Sequence, residues 1–234
     1  AAYAADDTVR VGDWSYTIYD TGEYVLNGYY GSDSSITLPE TLDGHDMNKV
    51  TFMINRLPDT VKEVTVPKTY TEICNSAFEY SKIEKINFSQ DSNLTRIGSE
   101  AFYNTPITEF IMPNNLLEIG RDAFVNTLLK KVTFNDKIQP FQTTTTLISG
   151  NDRFSKTTHY NAFGAAPSGL EFVVSDSCQN YKLVDGALLS KDGTILYAQS
   201  SNLNGGTYTV PNGVQIIGTY AMSLNNTFNN INIP

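Results

Sequence analysis

The sequence predicts a β-rich solenoid. Its coils stack as a right-handed superhelix, with a parallel sheet on one face and short 3₁₀ or helical turns between strands. Three observations predict it. Ile97-Gly98-Ser99-Glu100-Ala101-Phe102 returns 22 residues later as Ile119-Gly120-Arg121-Asp122-Ala123-Phe124. The apolar frame around it returns too, as Ile83-x-x-Ile86-x-Phe88, Ile107-x-x-Phe110-x-Met112 and Leu129-x-x-Val132-x-Phe134. Finally, a Pro or a small polar residue closes each of these segments. Self-similarity at a period of 20–50 residues decides architecture before any single element does.

The closers are Pro39, Pro67, Ser89, Pro113, Asn135, Ser175, Pro211 and Pro234, spaced by 28, 22, 24, 22, 40, 36 and 23 residues. One and three positions before each stand apolar residues, such as Ile36 and Leu38, Val64 and Val66, Phe110 and Met112, or Tyr208 and Val210. Period-two alternation marks a half-buried strand. Proline, which cannot donate to a ladder, ends it. Ile-Gly-x-x-Ala-Phe follows. Its Gly suits a tight corner or a positive φ. Its last four residues are too few for a stable helix and suit a single helical or 3₁₀ turn.

Residues 1–35 read as an N-terminal β cap, 36–135 as repeats, 136–160 as a long excursion, and 161–234 as continued repeats with a β-hairpin inserted at about 181–199. Thr8–Val11, Trp14–Tyr19 and Glu23–Leu26 form the antiparallel entry, with a turn at Asp20-Thr21-Gly22. Trp14, Tyr16 and Ile18 are expected to touch the first coil, because a terminal repeat needs cover. The competing reading is an aromatic ligand platform. The hairpin is expected from Lys182–Leu189 and Thr194–Ala198 alternating around Lys191-Asp192-Gly193. The chain stops just after a strand at Ile231–Pro234, which suggests a longer protein or a covering partner.

A net charge of −9, with 16 scattered Lys and Arg, argues against nucleic acid or an anionic membrane surface as partner. No apolar run approaches the ~18 residues a membrane helix needs. Ala2-Tyr3-Ala4 fits the tail of an export signal, and a native Ala-rich start without meaning is the alternative. Cys74 stands where other units carry Gly98, Gly120 and Gly218, so a small core residue is expected there. Several repeats separate it from Cys178, which disfavours a disulfide. His45 and His159 are the only histidines. Neither has a convincing nucleophile and carboxylate beside it, and no metal spacing exists. Asp185 and Asp192 read as turn formers before Ca²⁺ ligands. No enzyme, metal or cofactor is expected.

The Pro-x-x-(Leu/Val)-x-x-Ile-Gly-x-x-Ala-Phe unit resembles the BspA-like, or treponemal-type, class of bacterial leucine-rich repeats. Asn115 and Leu117–Phe124 carry the resemblance, as do Val214–Met222, the hairpin from Tyr181 and the Tyr29–Pro39 first repeat. Departures are Cys74 for Gly, a degenerate Val50–Asn55, and the 136–160 excursion. The resemblance implies a secreted or surface-anchored bacterial protein, without catalytic residues, acting as an adhesin or interaction module toward host or bacterial surface proteins.

Alternation also places residues outward. The position two before each closer holds Thr65, Asn87, Ile111 and Thr133; the position four before holds Glu63, Lys85, Glu109, Lys131 and Glu171. The second row alternates in sign, so a cross-strand charge ladder is expected along it. Thr65, Lys85, Asn87, Glu109, Ile111, Lys131, Thr133 and Glu171 are the candidate ligand face. A glycan held by the Tyr-rich entry and the excursion is the alternative, and a passive spacer is a third reading.

Overall fold

The computed structural model describes residues 8–89, 91–141, 143–147, 155–159, 162–163, 169–199, 206–219, 221–222 and 229–234, with the strands at 143–147 and 155–159 described by backbone alone. The chain is a solenoid of β-coils, and the described residues contain no helix.

Strands β1 (Thr8–Val11), β2 (Trp14–Ile18) and β3 (Tyr24–Tyr29) run antiparallel. The first coil follows with β4 (Ser35–Thr37), a small hairpin of β5 (Thr41–Leu42) and β6 (His45–Asp46), and β7 (Lys49–Val50). Later coils each carry one longer and one two-residue strand: β8 (Glu63–Val66) with β9 (Glu72–Ile73), β10 (Lys85–Phe88) with β11 (Arg96–Ile97), and β12 (Glu109–Ile111) with β13 (Glu118–Ile119). Next come β14 (Lys131–Thr133), the pair β15 (Thr143–Leu147) and β16 (Ser155–His159), and β17 (Glu171–Val173). The chain closes with β18 (Tyr181–Val184), β19 (Ala187–Ser190), β20 (Ile195–Gln199), β21 (Thr207–Thr209), β22 (Ile216–Ile217) and β23 (Asn230–Asn232).

All eight expected strands before the closers are present. The parallel sheet, however, does not occupy one face alone. The two-residue strands form a second parallel row, β3-β7-β9-β11-β13. Backbone hydrogen bonding needs only an extended stretch at the right spacing, and the x-Ile ahead of each Gly supplies one. The long-strand row splits into β4-β8-β10, β12-β14-β17 and β21-β23.

The expected helical turns are plain turns. Ser76, Glu100 and Asp122 take φ of 53°, 58° and 58° just before the Ala, and Tyr80, Asn104 and Asn126 take φ of 59°, 57° and 57° two residues after the Phe. Positive φ thus falls on these polar and aromatic residues and not on Gly98 or Gly120. Glycine is needed there for close approach: a Cβ on Gly120 would lie 2.3 Å from Ser99 N, and one on Gly98 would lie 2.4 Å from Asn75 N. Cys74, at the equivalent position, is only half-buried rather than a core residue. Both cysteines are free thiols.

The core runs along the axis. Phe52, Phe78, Phe102, Phe124 and Phe163 form one column, with successive ring centroids 5.5, 5.3, 5.0 and 5.3 Å apart. Phe52 fills the column without the usual x-x-Ala, and its N–H donates to Ala77 O at 2.8 Å, which accounts for the degenerate stretch after Val50. Of the three entry residues expected to touch the first coil, Tyr16 is buried in the core and Trp14 packs partly against it, but Ile18 is exposed. Ile18 ends β2 opposite Tyr24, beside the Asp20–Gly22 turn.

The 136–160 excursion contains an antiparallel pair, Thr143↔His159 through Leu147↔Ser155. The Ser149–Asp152 segment lies outside the described residues, as does Ala2-Tyr3-Ala4. In the 181–199 insertion β19 and β20 pair antiparallel across Lys191-Asp192-Gly193 as expected, and β18 extends them to a three-stranded meander. Asp185 and Gly186 take φ of 47° and 76° and turn the chain inside the stretch expected as one strand. Positive φ at both central residues is the two-residue hairpin signature of Asp-Gly. Strand β20 then pairs with β22, so the meander stands in for a coil's short strand.

Candidate functional site

The long-strand face carries the predicted residues. Strand alternation buries Val64, Ile86, Phe110, Val132 and Phe172. It leaves Lys85, Glu109, Ile111 and Glu171 exposed, and Thr65, Asn87, Lys131 and Thr133 half-exposed. Registers Asn87↔Thr65, Glu109↔Lys131, Ile111↔Thr133 and Lys131↔Glu171 bring them together within two groups, Thr65 with Lys85 and Asn87, and Glu109 through Glu171.

The expected charge ladder on this face forms only at its first rung, Glu63 with Lys85. Lys85 Nζ donates to Glu63 Oε1 at 2.9 Å, and Asn87 Nδ2 donates to the same oxygen at 2.7 Å. These contacts, the Lys85 bond first, hold the Glu63 carboxyl below its usual range. Among the described residues no ion pair joins Glu109, Lys131 and Glu171 despite their register. Lys85 and Glu109 are separated outright, because β10 and β12 are not paired.

The paired ladder is on the short-strand row. Lys49 Nζ meets Glu23 at 2.6 Å and Glu72 at 3.3 Å, and Arg96 bonds Glu72 and reaches Glu118 at 3.7 Å. The hydrogen bond from Lys49 lowers the Glu23 carboxyl's pKa, and its counterpart raises that of Lys49. The signal was readable in Lys49, Glu72, Arg96 and Glu118, each preceding the apolar residue of its short strand.

The break between β10 and β12 opens a groove of about 670 Å³, lined among others by Ile86, Phe88, Ser89, Glu109, Ile111 and Met112. The coil from Ser89 to Pro113 is 24 residues long against 22 for its neighbours, and the extra length falls directly after β10, before Leu94. Phe88 lies half-buried in the groove floor, edge-on to Phe110 at 6.1 Å. On the other two sides the same coils stay bonded, Gly120 N–H to Ile97 O and Phe102 N–H to Ala123 O, both at 2.8 Å.

His45 stacks on Tyr24 at 4.0 Å and 11°. The His159 side chain lies outside the described residues. No cluster of three or more metal-ligating side chains occurs among the described residues. Asp192 shapes its turn by accepting from Ser190, from Thr194 N–H and from Thr194 Oγ1, which brings its carboxyl to about 2.

Stacked coils with a strand and a short strand per turn define a leucine-rich repeat solenoid. Residues 29–146 match the BspA type leucine-rich repeat region in six copies, and the chain belongs to that family. Among solved structures it is similar to a leucine-rich repeat protein from Eubacterium ventriosum ATCC 27560, at 18% identity and a TM-score of 0.64, over 95% of this chain and 58% of that one. It is also similar to the pneumococcal vaccine antigen PcpA, at 17% identity and a TM-score of 0.56, over 92% of this chain and 61% of that one. The chain therefore spans about three fifths of each. At these identities the likeness is one of fold. A comparison with curated protein sequences finds no match.

Proposed function

We propose that the chain is a non-enzymatic protein-interaction module of the bacterial cell surface or its exterior, adhesin-like, whose ligand face is the long-strand row. One observation carries this reading. The two strand rows differ in what their charges do: the short row is internally paired from Glu23 to Glu118, whereas Glu109, Lys131 and Glu171 stand in register without ion pairs among the described residues. Charges not paired among the described residues, beside Ile111 at 59% exposure, are available to a complementary partner. The surface placement is supported by the fold shared with PcpA, which is described as a vaccine antigen.

The test is binding of the full chain to a panel of immobilised host and bacterial surface proteins, with a glycan array alongside. The triple reversal Lys85→Glu, Glu109→Lys and Lys131→Glu is expected to weaken binding at least tenfold. Intact affinity after that reversal and after deletion of 136–160 would overturn the site assignment. Binding to glycans alone would replace a protein partner with a carbohydrate one.

A further inference from the structure

We infer that the break between β10 and β12 is a strand-receiving slot: one extended segment of a protein partner, carrying a basic side chain, enters between Lys85–Phe88 and Glu109–Ile111. This deepens the interaction reading above and rests on it.

The slot is marked by bonds that the neighbouring coils make and this pair of coils lacks. Glu63, Lys85 and Glu171 begin their strands by donating N–H to Ser34, Lys62 and Lys130 carbonyls of the preceding coil, at 3.0, 3.2 and 2.8 Å. At β14 the bond comes from Lys130 N–H to Thr108 O at 2.8 Å, one residue before the strand. Glu109 makes no such bond to Glu84. At the strand ends Leu38, Met112 and Phe134 donate to Thr65, Thr133 and Val173 of the following coil, at 3.0, 3.0 and 2.9 Å. Phe88 makes no such bond to Ile111. Backbone groups alternate sides along a strand. Ile86 and Phe88 therefore present N–H and C=O to one rim, and Glu109 and Ile111 to the other.

An open pair of strand edges is a template for another strand. An extended polypeptide alone carries alternating donors and acceptors on both of its edges at the spacing these rims require. The floor is apolar, with Phe88 and Ile111, and the Ser89 hydroxyl is enclosed there without a hydrogen-bond partner. The rim is acidic. Glu84 and Glu109 both line the groove, while its Lys85 is engaged by Glu63. The matching occupant has a Lys or Arg on its outward side. The intact bonds on the other two sides of the coils confine the opening to this face.

The test uses the full chain with the peptide acetyl-Thr-Lys-Val-Lys-Val-Thr-amide as probe, read by amide hydrogen exchange and by titration. Peptide at saturation should slow exchange of the Phe88 and Glu109 amides at least tenfold. Replacing both probe lysines by glutamate should weaken binding at least fivefold. Ile111→Pro removes a donor facing the slot but leaves the Phe110 and Met112 bonds to β14, so it should weaken binding at least tenfold at unchanged melting temperature. A probe N-methylated at both valines should fail in the same way against the unaltered chain. Absence of protection at millimolar probe, or equal binding of the N-methylated probe, overturns the slot. If the slot fails while the triple charge reversal still abolishes partner binding, the interaction reading survives; if both fail, neither stands.

Discussion

The rings of Phe102 and Phe124 stack with centroids 5.0 Å apart and planes 11° from parallel. That distance is close to the ~4.8 Å between hydrogen-bonded strands. The phenylalanine column therefore rises at the pace of the backbone ladders beside it, and neither must distort for the other. Phe102 also meets Phe78 at 5.3 Å and Phe110 at 6.5 Å. Phe102→Ala is expected to cost about 3–5 kcal/mol, the range for a large buried aromatic. Phe102→Leu should cost clearly less. Urea unfolding of the full chain checks both, and equal losses would refute a role for the ring itself.

Gly98 and Gly120 are set by their neighbours along the stack. A Cβ at Gly120 would meet the backbone of Gly98 and Ser99, which cannot rotate away as a side chain could. Gly120→Ala should destabilise by about 1–3 kcal/mol, as overpacking does. Gly206→Ala, with nothing within 4 Å of its Cβ, should be near neutral. Thermal unfolding of the two variants separates close approach from a general glycine effect.

Arg96 sits between Glu72 and Glu118 on the short row. Arg96→Glu would align three carboxylates, while the double change with Glu72→Arg restores one alternation. Cross-strand pairs contribute roughly 0.2–1 kcal/mol each, at the low end when exposed. The expected coupling in a double-mutant cycle is of that size and shrinks in high salt. A salt-independent coupling would point to packing instead of charge.

Asp192 gives a pH dependence with a definite sign. Its folded carboxyl lies at about 2, below the roughly 3.9 of an unfolded aspartate. The unfolded state therefore binds its proton first as pH falls. The turn's contribution is fully present above about pH 4 and is lost as pH drops through about 2. Carboxyl carbon shifts by NMR should show the low midpoint, and Asp192→Asn should remove this part of the acid dependence. A midpoint near 4 would mean that the Ser190 and Thr194 bonds do not persist in solution.

Burial pushes the Cys74 thiol up to about 12, with Glu72 adding to it, and Cys178 is fully enclosed. Cys74 should carry no appreciable thiolate at pH 8. Native chain should react slowly with a thiol-specific disulfide reagent, and denatured chain should expose two thiols. Rapid reaction of the folded protein would contradict the raised pKa of the half-buried Cys74 thiol.

The coil plan was legible because it repeats. Ile36 through Val210 announced the long strands by alternation, and the Ala-Phe pairs announced the column. The second strand row is not legible, since two residues such as Glu72-Ile73 show no period of their own. The turn at Asp185-Gly186 was readable from the dipeptide but was hidden inside an apolar run. Nor are the turns helical: the four-residue x-x-Ala-Phe piece turns through positive φ at Ser76, Glu100 and Asp122.

The candidate site was legible only as a row of outward positions. Lys85 and Glu109 alternate in sign as sequence neighbours in a ladder should, yet they stand on opposite rims of a break. The spacing of 24 instead of 22 was visible, but spacing alone does not say whether extra residues bulge outward or force neighbouring strands apart.

By itself the sequence determined which residues face inward and which coil follows which, because both depend on local alternation and on identical side chains recurring at one period. Only the tertiary structure decided which coils actually pair on each face and which charges meet. Those depend on the distance between coils, which local alternation does not specify.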